Sequence, residues 1–454
     1  MNLKQVIEPK SIAVIGVSLS NPFNPANVIF TKNRLRYQAR TYCINPKGGK
    51  LYGDTVYTSI SEIPEKVDLA IFSIRADMIP RSMEECIAAG VSGGIIISGG
   101  FSESGRQDLQ EEIVRIATTH SFPVLGPNCL GIFSPPHIDT FFLPNERLID
   151  LKKGNVALIS QSGGILVDLT IRLTQEGVGI SRAVSIGNKA VLDEVDLLQF
   201  FIKDPATRVI GFYIEGFSNG RGRLFIEEVN HTKKPVVIMK SGKTPDGSKA
   251  VSSHTASLSG DYITFSEIIK GSRAVEAADE AEFAAFCEVL SRYSASNVKN
   301  VCIITASGGH GAIASDGCYS AGITTVDIPK NDQEELKNLV SKSIQGIASF
   351  SNPIDLTGSA VDDDFITTTR YFIGKEYVDC VLILLLPYLP GITSDVGARI
   401  AQIARESGKP VVTYIPHVDK YGIFIDGFES NGIPVAHSVE GAVSMVRAIA
   451  GGKL

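Results

Sequence analysis

No stretch of these 454 residues stays apolar for long: the most apolar run, residues 381–386, is far short of the roughly 20 a membrane-spanning helix needs. The opening residues, MNLKQVIEPKS, hold no apolar signal core, so a soluble cytoplasmic protein is expected. CxxC spacing is missing as well. Cys43, Cys86, Cys129, Cys287, Cys302, Cys318 and Cys380 are scattered, most of them in apolar runs, and read as reduced core thiols. Basic residues are not in excess. Lys and Arg number 43 against 49 Asp and Glu, a net charge of −6, which disfavours nucleic acid or an anionic membrane as partner.

The usual nucleotide and metal motifs are incomplete. Ser241-Gly-Lys-Thr lacks the glycine five residues before its Gly-Lys pair, and Pro245 follows, so it is no Walker A loop and no triphosphate cradle is expected. Only Gly16 of a GxGxxG fingerprint is present. His120, His231 and His417 have no Cys or His at ligand spacing, and no metal site is expected.

What the sequence does contain is alternation. Short β-branched runs separated by helical-period segments recur from end to end, the pattern of parallel sheets with crossover helices. With 44% hydrophobic residues there is enough for a core in each of about three α/β domains. Strands are expected at residues 11–15, 41–44, 69–73 and 94–97, then at 156–159, 182–185, 209–214 and 236–239, and then at 301–305, 381–386 and 411–414. A Pro-rich stretch from Ser134 and a polar stretch from Ser291 place boundaries that give domains 1–140, 141–296 and 297–454.

Candidate sites fall at strand ends. The first strand runs into Gly16, Val17, Ser18 and Leu19, a turn where a dinucleotide phosphate would meet a helix start. After the second strand a dehydrogenase needs an acidic residue for the ribose. Here the sequence reads Asn45-Pro-Lys47-Gly-Gly-Lys50, which suits a phosphorylated ribose: the 3′-phosphate of coenzyme A, with NADP as the competing reading. Ser73, Ile74 and Arg75, and then Ser98 and Gly99 with Glu103, end the next two strands on the same edge.

His254 lies in Ser252-Ser-His-Thr-Ala-Ser-Leu-Ser-Gly-Asp261, read as a polar loop with room to move. Glu215 closes the strand at 209–214 and is the candidate partner for it. A carboxylate on one imidazole nitrogen fixes the tautomer and leaves the other nucleophilic. Two further turns echo each other: Ser160-Gln161-Ser162-Gly163-Gly164 and Ala306-Ser307-Gly308-Gly309-His310. Each is strand, Ser-Gly-Gly, helix, and each would offer free N–H groups and a positive dipole end to an anion.

Taken together, Ala13-Val-Ile-Gly-Val-Ser18, Asn45-Pro-Lys47, Gly126-Pro-Asn-Cys129, Ser160-Gln-Ser-Gly-Gly164, Ser185-Ile-Gly-Asn188, Ser253-His-Thr-Ala-Ser-Leu-Ser-Gly-Asp261 and Asn352-Pro-Ile-Asp-Leu-Thr-Gly358 occur in an order that resembles the α subunits of ADP-forming acetyl-CoA synthetases, within the NDP-forming acyl-CoA synthetase superfamily. The resemblance covers nearly the whole chain. It implies a Rossmann-like CoA-binding domain followed by two flavodoxin-like domains, with CoA contacts at Gly16–Leu19, Lys47, Ser73–Arg75, Ser98, Gly99, Glu103 and Asn128. It also implies that His254 is phosphorylated, that Glu215 positions it, and that the two Ser-Gly-Gly starts clamp the phosphoryl group. The reaction implied is acyl-CoA + phosphate + ADP to acid + CoA + ATP, acetyl-CoA being the family's usual substrate. The family's ATP-grasp domains are not in this sequence. The resemblance therefore implies a separate β subunit that binds ADP with Mg²⁺, in an α2β2 heterotetramer. The first βα turn departs from relatives: Asn21-Pro-Phe-Asn-Pro25 stands where they carry a glycine at the helix start. Two other classes remain open, a CoA-sensing module without turnover and an NADP-dependent oxidoreductase.

Overall fold

A computed structural model describes residues 3–144, 151–218, 220–255, 261–294 and 298–451. The chain forms two compact units, Met1–Ile268 and Ile269–Leu454. The first holds two sheets. In the first sheet β1 (Ser11–Ile15), β2 (Arg40–Ile44), β3 (Gly49–Leu51), β4 (Asp54–Tyr57), β5 (Leu69–Phe72), β6 (Gly93–Ile96) and β7 (Val124–Leu125) lie in the order β3-β4-β2-β1-β5-β6-β7. All pairs are parallel except β3 with β4. Strands β1, β5 and β6 are buried along their whole length. Helices α1 (Lys4–Ile7), α2 (Pro25–Arg36), α3 (Ile79–Ala88) and α4 (Gln107–Thr119) belong to this layer. Such continuous Val/Ile runs are what a parallel sheet covered on both faces demands.

The second sheet uses β8 (Ile132–Ser134), β9 (Ile138–Asp139), β10 (Lys153–Ser160), β11 (Ile180–Ser185), β12 (Val209–Ile214) and β13 (Val236–Lys240), in the order β13-β12-β10-β11-β8-β9. Its helices are α5 (Gly163–Gln175), α6 (Glu194–Lys203), α7 (Arg221–His231), α8 (Pro245–Thr255) and α9 (Tyr262–Lys270). The Pro-rich stretch after Ser134, read from sequence as aperiodic, carries the β8–β9 hairpin, antiparallel to β11. Helix α2 grips that hairpin. Lys32 is buried against Asp139 at 2.9 Å, and the Asn33 amide donates to the Asp139 carbonyl and accepts its N–H.

Residues 245–255 form a helix, so the polar loop expected at Ser252–Asp261 is helical as far as Thr255. Pro245 presets the first turn, where its missing N–H costs nothing, and the Thr244 hydroxyl accepts the Gly247 N–H at 3.1 Å.

The other unit opens with β14 (Val275–Ala277) and α10 (Glu280–Arg292). Its sheet comprises β15 (Asn300–Thr305), β16 (Thr324–Thr325), β17 (Ile354–Asp355), β18 (Cys380–Leu384), β19 (Val411–Tyr414) and β20 (Val435–Ala436), in the order β16-β15-β18-β19-β20, with β17 also pairing β15. Helices α11 (Gly308–Ser320), α12 (Lys330–Leu339), α13 (Asp362–Ile373), α14 (Val396–Ser407), α15 (Gly422–Glu429) and α16 (Val439–Ile449) complete it. All seven cysteines are buried and none is in a disulfide. Among the described residues no helix is long and apolar enough to cross a membrane.

Each sheet reverses direction beside its first long strand: β1 lies between β2 and β5, β10 between β11 and β12, and β15 between β16 and β18. Ligands in open α/β sheets bind beyond the carboxyl ends of the strands at such a switch point.

Candidate functional site

At the first switch point the backbone closes tightly. Gly16 has φ +103°, and a Cβ there would come within 2.3 Å of the Ser73 carbonyl oxygen and 2.7 Å of Ile74. The ends of β1 and β5 therefore touch, and only glycine fits. Ser98 Oγ donates to the Ile74 carbonyl at 2.5 Å, and the Asn128 N–H donates to the Ser98 carbonyl at 3.0 Å. Gly16, Ser73, Ile74, Ser98 and Asn128 thus form one continuous edge. Asn45 Nδ2 donates to the Val17 carbonyl at 2.7 Å while its Oδ1 accepts the Lys47 N–H at 2.9 Å, so the exposed Lys47 turn hangs beside the Gly16 loop. Ser18 is fastened to α2 by paired bonds with Asn27, and Leu19 is left exposed. Helix α2 starts only at Pro25, capped by Asn24, so the turn is longer than a dinucleotide fingerprint.

Two of the expected contacts are already occupied. Arg75 pairs with Asp77 at 2.6 Å. Glu103 Oε1 accepts the N–H groups of Gly100 and Phe101, and Oε2 accepts Asn188 Nδ2 at 2.5 Å. Burial pushes the Glu103 carboxyl up, but these hydrogen bonds outweigh it and hold it below the usual carboxylate range. Glu103 braces its turn and Asn188; Asn128 Nδ2 reaches Asn188 Oδ1 at 3.4 Å.

At the second switch point Ser160 ends β10 and Ser162 caps α5, its hydroxyl accepting the Ile165 N–H at 3.4 Å. Ser160 Oγ donates to the Ser162 carbonyl at 2.6 Å and accepts its N–H at 3.1 Å. Gln161 is buried, and its Oε1 accepts the backbone N–H groups of both Glu215 and Gly216. The carbonyls of that turn are held too. Buried Lys240 donates to the Glu215 carbonyl at 2.9 Å, and buried Lys189, ion-paired to Glu194, donates to the Gly216 carbonyl. Burial pushes the Glu194 carboxyl up despite Lys189. The peptide carrying Glu215 is thus clamped from three sides, and Glu215 itself is 5% exposed. His254 lies in α8, which runs against the turn Ser102–Ser104 that holds Glu103. The His254 side chain falls outside the described residues, as do residues 256–260 of its segment.

At the third switch point, in the other unit, Ser307 precedes Gly308 and Gly309 at the start of α11. His310 Nδ1 sits 3.0 Å from Ser307 Oγ, and its ring lies tilted at 34° to that of Tyr414 with centroids 5.6 Å apart. A Cβ on Gly308 would lie 3.2 Å from Asp355 Oδ2. Gly164 and Gly309, the second glycine of each start, would meet nothing within 4 Å. Each leaves open space over free helical N–H groups. Among the described residues no group of three or more His, Cys, Asp or Glu could hold a metal ion.

Three family models match in sequence order: a CoA binding domain at residues 10–135, a succinyl-CoA ligase like flavodoxin domain at 153–290 and a ligase-CoA domain at 301–436. The α subunit of acetate–CoA ligase (ADP-forming) I from Pyrococcus furiosus is 33% identical over 99% of this chain and 97% of its own length. The chain belongs to the ADP-forming acetate–CoA ligase family. Acetate–CoA ligase (ADP-forming) I of Archaeoglobus fulgidus is 35% identical over 85% of this chain, which spans 55% of that protein's length. Among solved structures, acetyl-coenzyme A synthetase 1 of Candidatus Korarchaeum cryptofilum, in complex with phosphate and ADP, superposes with a TM-score of 0.91 at 32% identity, covering 99% of this chain and 97% of the other. The fold is the expected one: a Rossmann-like CoA-binding domain followed by two flavodoxin-like ligase domains.

Sequence reasoning named both ends of the Gln161–Glu215 link but missed what surrounds it. Lys189, Lys240 and Asn188 all hold it or its neighbourhood in place. Ser185-Ile-Gly-Asn188 was a visible motif, and its role appears only when Asn188 meets Glu103, 85 positions away. The ring pair of His417 and His437, centroids 4.5 Å apart, was equally invisible.

Proposed function

We propose that the chain is the coenzyme A-binding, phosphoryl-carrying subunit of an ADP-forming acyl-CoA ligase, working with a nucleotide-binding ATP-grasp partner in an α2β2 assembly. The observation that carries this reading is the Gln161 bridge, which ties the anion-ready start of α5 to the peptide bearing Glu215. Phosphate held by the N–H groups of Gly163 and Gly164 attacks the thioester carbonyl. The C–S bond breaks, CoA leaves, and an acyl phosphate forms. A ring nitrogen of His254 then takes the phosphoryl group and the acid leaves as carboxylate. Phospho-His254 passes the group to ADP, regenerating neutral imidazole. Mg²⁺ and the nucleotide belong to the partner.

Little covalent work falls to the protein; placement and dipoles act on the transferred group. Glu215 would orient the His254 imidazole from its clamped peptide. The start of α11, with Ser307, Gly308, Gly309 and His310, is a second phosphate contact within its own unit. In the division 1–140, 141–296 and 297–454, the first segment takes CoA along Gly16–Leu19, Lys47, Ser73–Arg75, Ser98, Gly99 and Asn128. Glu103 shapes that edge through its brace.

Thermal denaturation tests the cofactor assignment. Coenzyme A at 100 times its Kd stabilises the chain by about 2.7 kcal/mol and raises its melting temperature, while NADP leaves it unmoved. Stabilisation by NADP and not by CoA overturns the reading.

A further inference from the structure

Beyond the turn that carries Glu215, a cavity of about 280 Å³ opens in the same unit. Gly216 lines it together with the apolar side chains of Phe217, Ile226, Phe265 and Ile268. The rings of Phe217 and Phe265 lie 6.5 Å apart at 31°. Polar groups are few: Lys240, whose ammonium faces the Phe265 ring at 5.7 Å, and the Asp261–Thr264 pair that starts α9. Apolar and aromatic side chains around a small volume, with few polar groups among them, are the features of a site for a small apolar ligand.

The cavity's place in the fold names the occupant. Gly216, which lines it, donates its N–H to Gln161 at 3.1 Å, so the cavity adjoins the Ser160–Gly164 turn where the acyl phosphate is proposed to form. An apolar cavity of about 150 Å³ accommodates benzene. The methyl of an acetyl group would leave most of this one empty, whereas an aryl or branched chain fills it.

We propose that this cavity receives the hydrocarbon part of the acyl group, and that the preferred acids are bulky and apolar, aryl acids first, rather than acetate. This rests on the ligase reading above. The test uses the complete enzyme, chain plus nucleotide-binding partner, with acetyl-CoA, isovaleryl-CoA and phenylacetyl-CoA as substrates. Phenylacetyl-CoA and isovaleryl-CoA should exceed acetyl-CoA in kcat/KM by about tenfold or more, the discrimination a hydrophobic pocket gives for added carbon. Ile226→Phe, which extends a ring into the cavity, should cut the phenylacetyl-to-acetyl ratio at least tenfold. Should that variant fold poorly, titrating the unmodified chain with phenylacetate and with acetate gives a second readout, only phenylacetate raising the melting temperature. Acetyl-CoA turned over as well as or better than the bulky substrates, or a ratio unmoved by a folded Ile226→Phe, overturns the proposal and leaves the ligase reading standing. No turnover of any acyl-CoA overturns both.

Discussion

At the start of α5, Ser160 Oγ donates to the Ser162 carbonyl and accepts its N–H; at the start of α11, Thr305 Oγ1 does the same for Ser307. Both starts leave their second glycine facing open space. The surroundings differ. Next to Ser160, Gln161 reaches across to the peptide of Glu215, whereas its counterpart Ala306 has only a methyl group and cannot reach. The Ser162 hydroxyl caps its helix; the Ser307 hydroxyl faces His310 instead. Asp355 already sets a carboxylate beside Gly308. A shared strand-to-helix design thus opens both helices on a doubled glycine, and the neighbouring strand ends differ in what they set beside it. Among the described residues, the first start is the one whose neighbouring side chain bonds to the peptide of a buried glutamate.

The largest expected effect comes from cutting that bond. Gln161→Ala should lower kcat about 10²-fold, the cost of loosening a catalytic group by around an ångström, while KM for CoA changes little. Steady-state kinetics with the partner subunit reads this directly, and Ala306→Ser, its counterpart in the other start, should leave kcat within about twofold.

The glycines offer a sharper comparison because stability and binding should move in opposite directions. Gly164→Ala should stabilise α5 by about 0.5 to 1 kcal/mol, alanine being the better helix former, yet weaken phosphate binding at least tenfold by filling the open space. Gly309→Ala should give the same gain in stability with a smaller loss of affinity, since the Asp355 carboxylate beside Gly308 already disfavours an anion there. Denaturant unfolding and phosphate titration would show it.

Next come the caps. Ser162→Ala should cost about 1 kcal/mol of stability and Ser307→Ala less than about 0.5, because only the former hydroxyl bonds to a helical N–H.

The smallest effect concerns Glu103, which Asn188 ties to the strand beside the α5 start. Its carboxyl is held below the ordinary value, so it contributes stability that is present above the unfolded carboxylate pKa and is lost as pH falls through the lowered folded one. Asn188→Ala should raise the Glu103 pKa back toward normal and narrow that acid window, as a carboxyl chemical-shift titration would detect.

The strands and both helix starts were readable because β-branched runs ending in Ser-Gly-Gly encode them locally. Thirteen-residue α5 and α11 begin where the doubled glycines stand. Helix α8 was not readable. Ser252 to Thr255 carry no apolar period, and the start signal was Pro245 behind Thr244, easily taken for a loop. The clamp on Glu215 escaped for another reason: Gln161, Lys189 and Lys240 lie 54, 27 and 25 positions from the atoms they hold. No local pattern carries such pairings; they arise when parallel strands bring their carboxyl ends together at a switch point. The β8–β9 hairpin was hidden likewise, since its partner β11 lies some way along the chain.

The central claim is that His254 carries the phosphoryl group, from a site organised by Gln161 and Glu215. The most direct measurement mixes the chain with its nucleotide-binding partner and γ-labelled ATP, then maps an acid-labile, base-stable phosphoryl group by peptide mass spectrometry. The label is expected on His254, absent in His254→Ala and strongly reduced in Glu215→Gln. Label on another residue, or His254→Ala that still incorporates phosphate and still turns over, would contradict it.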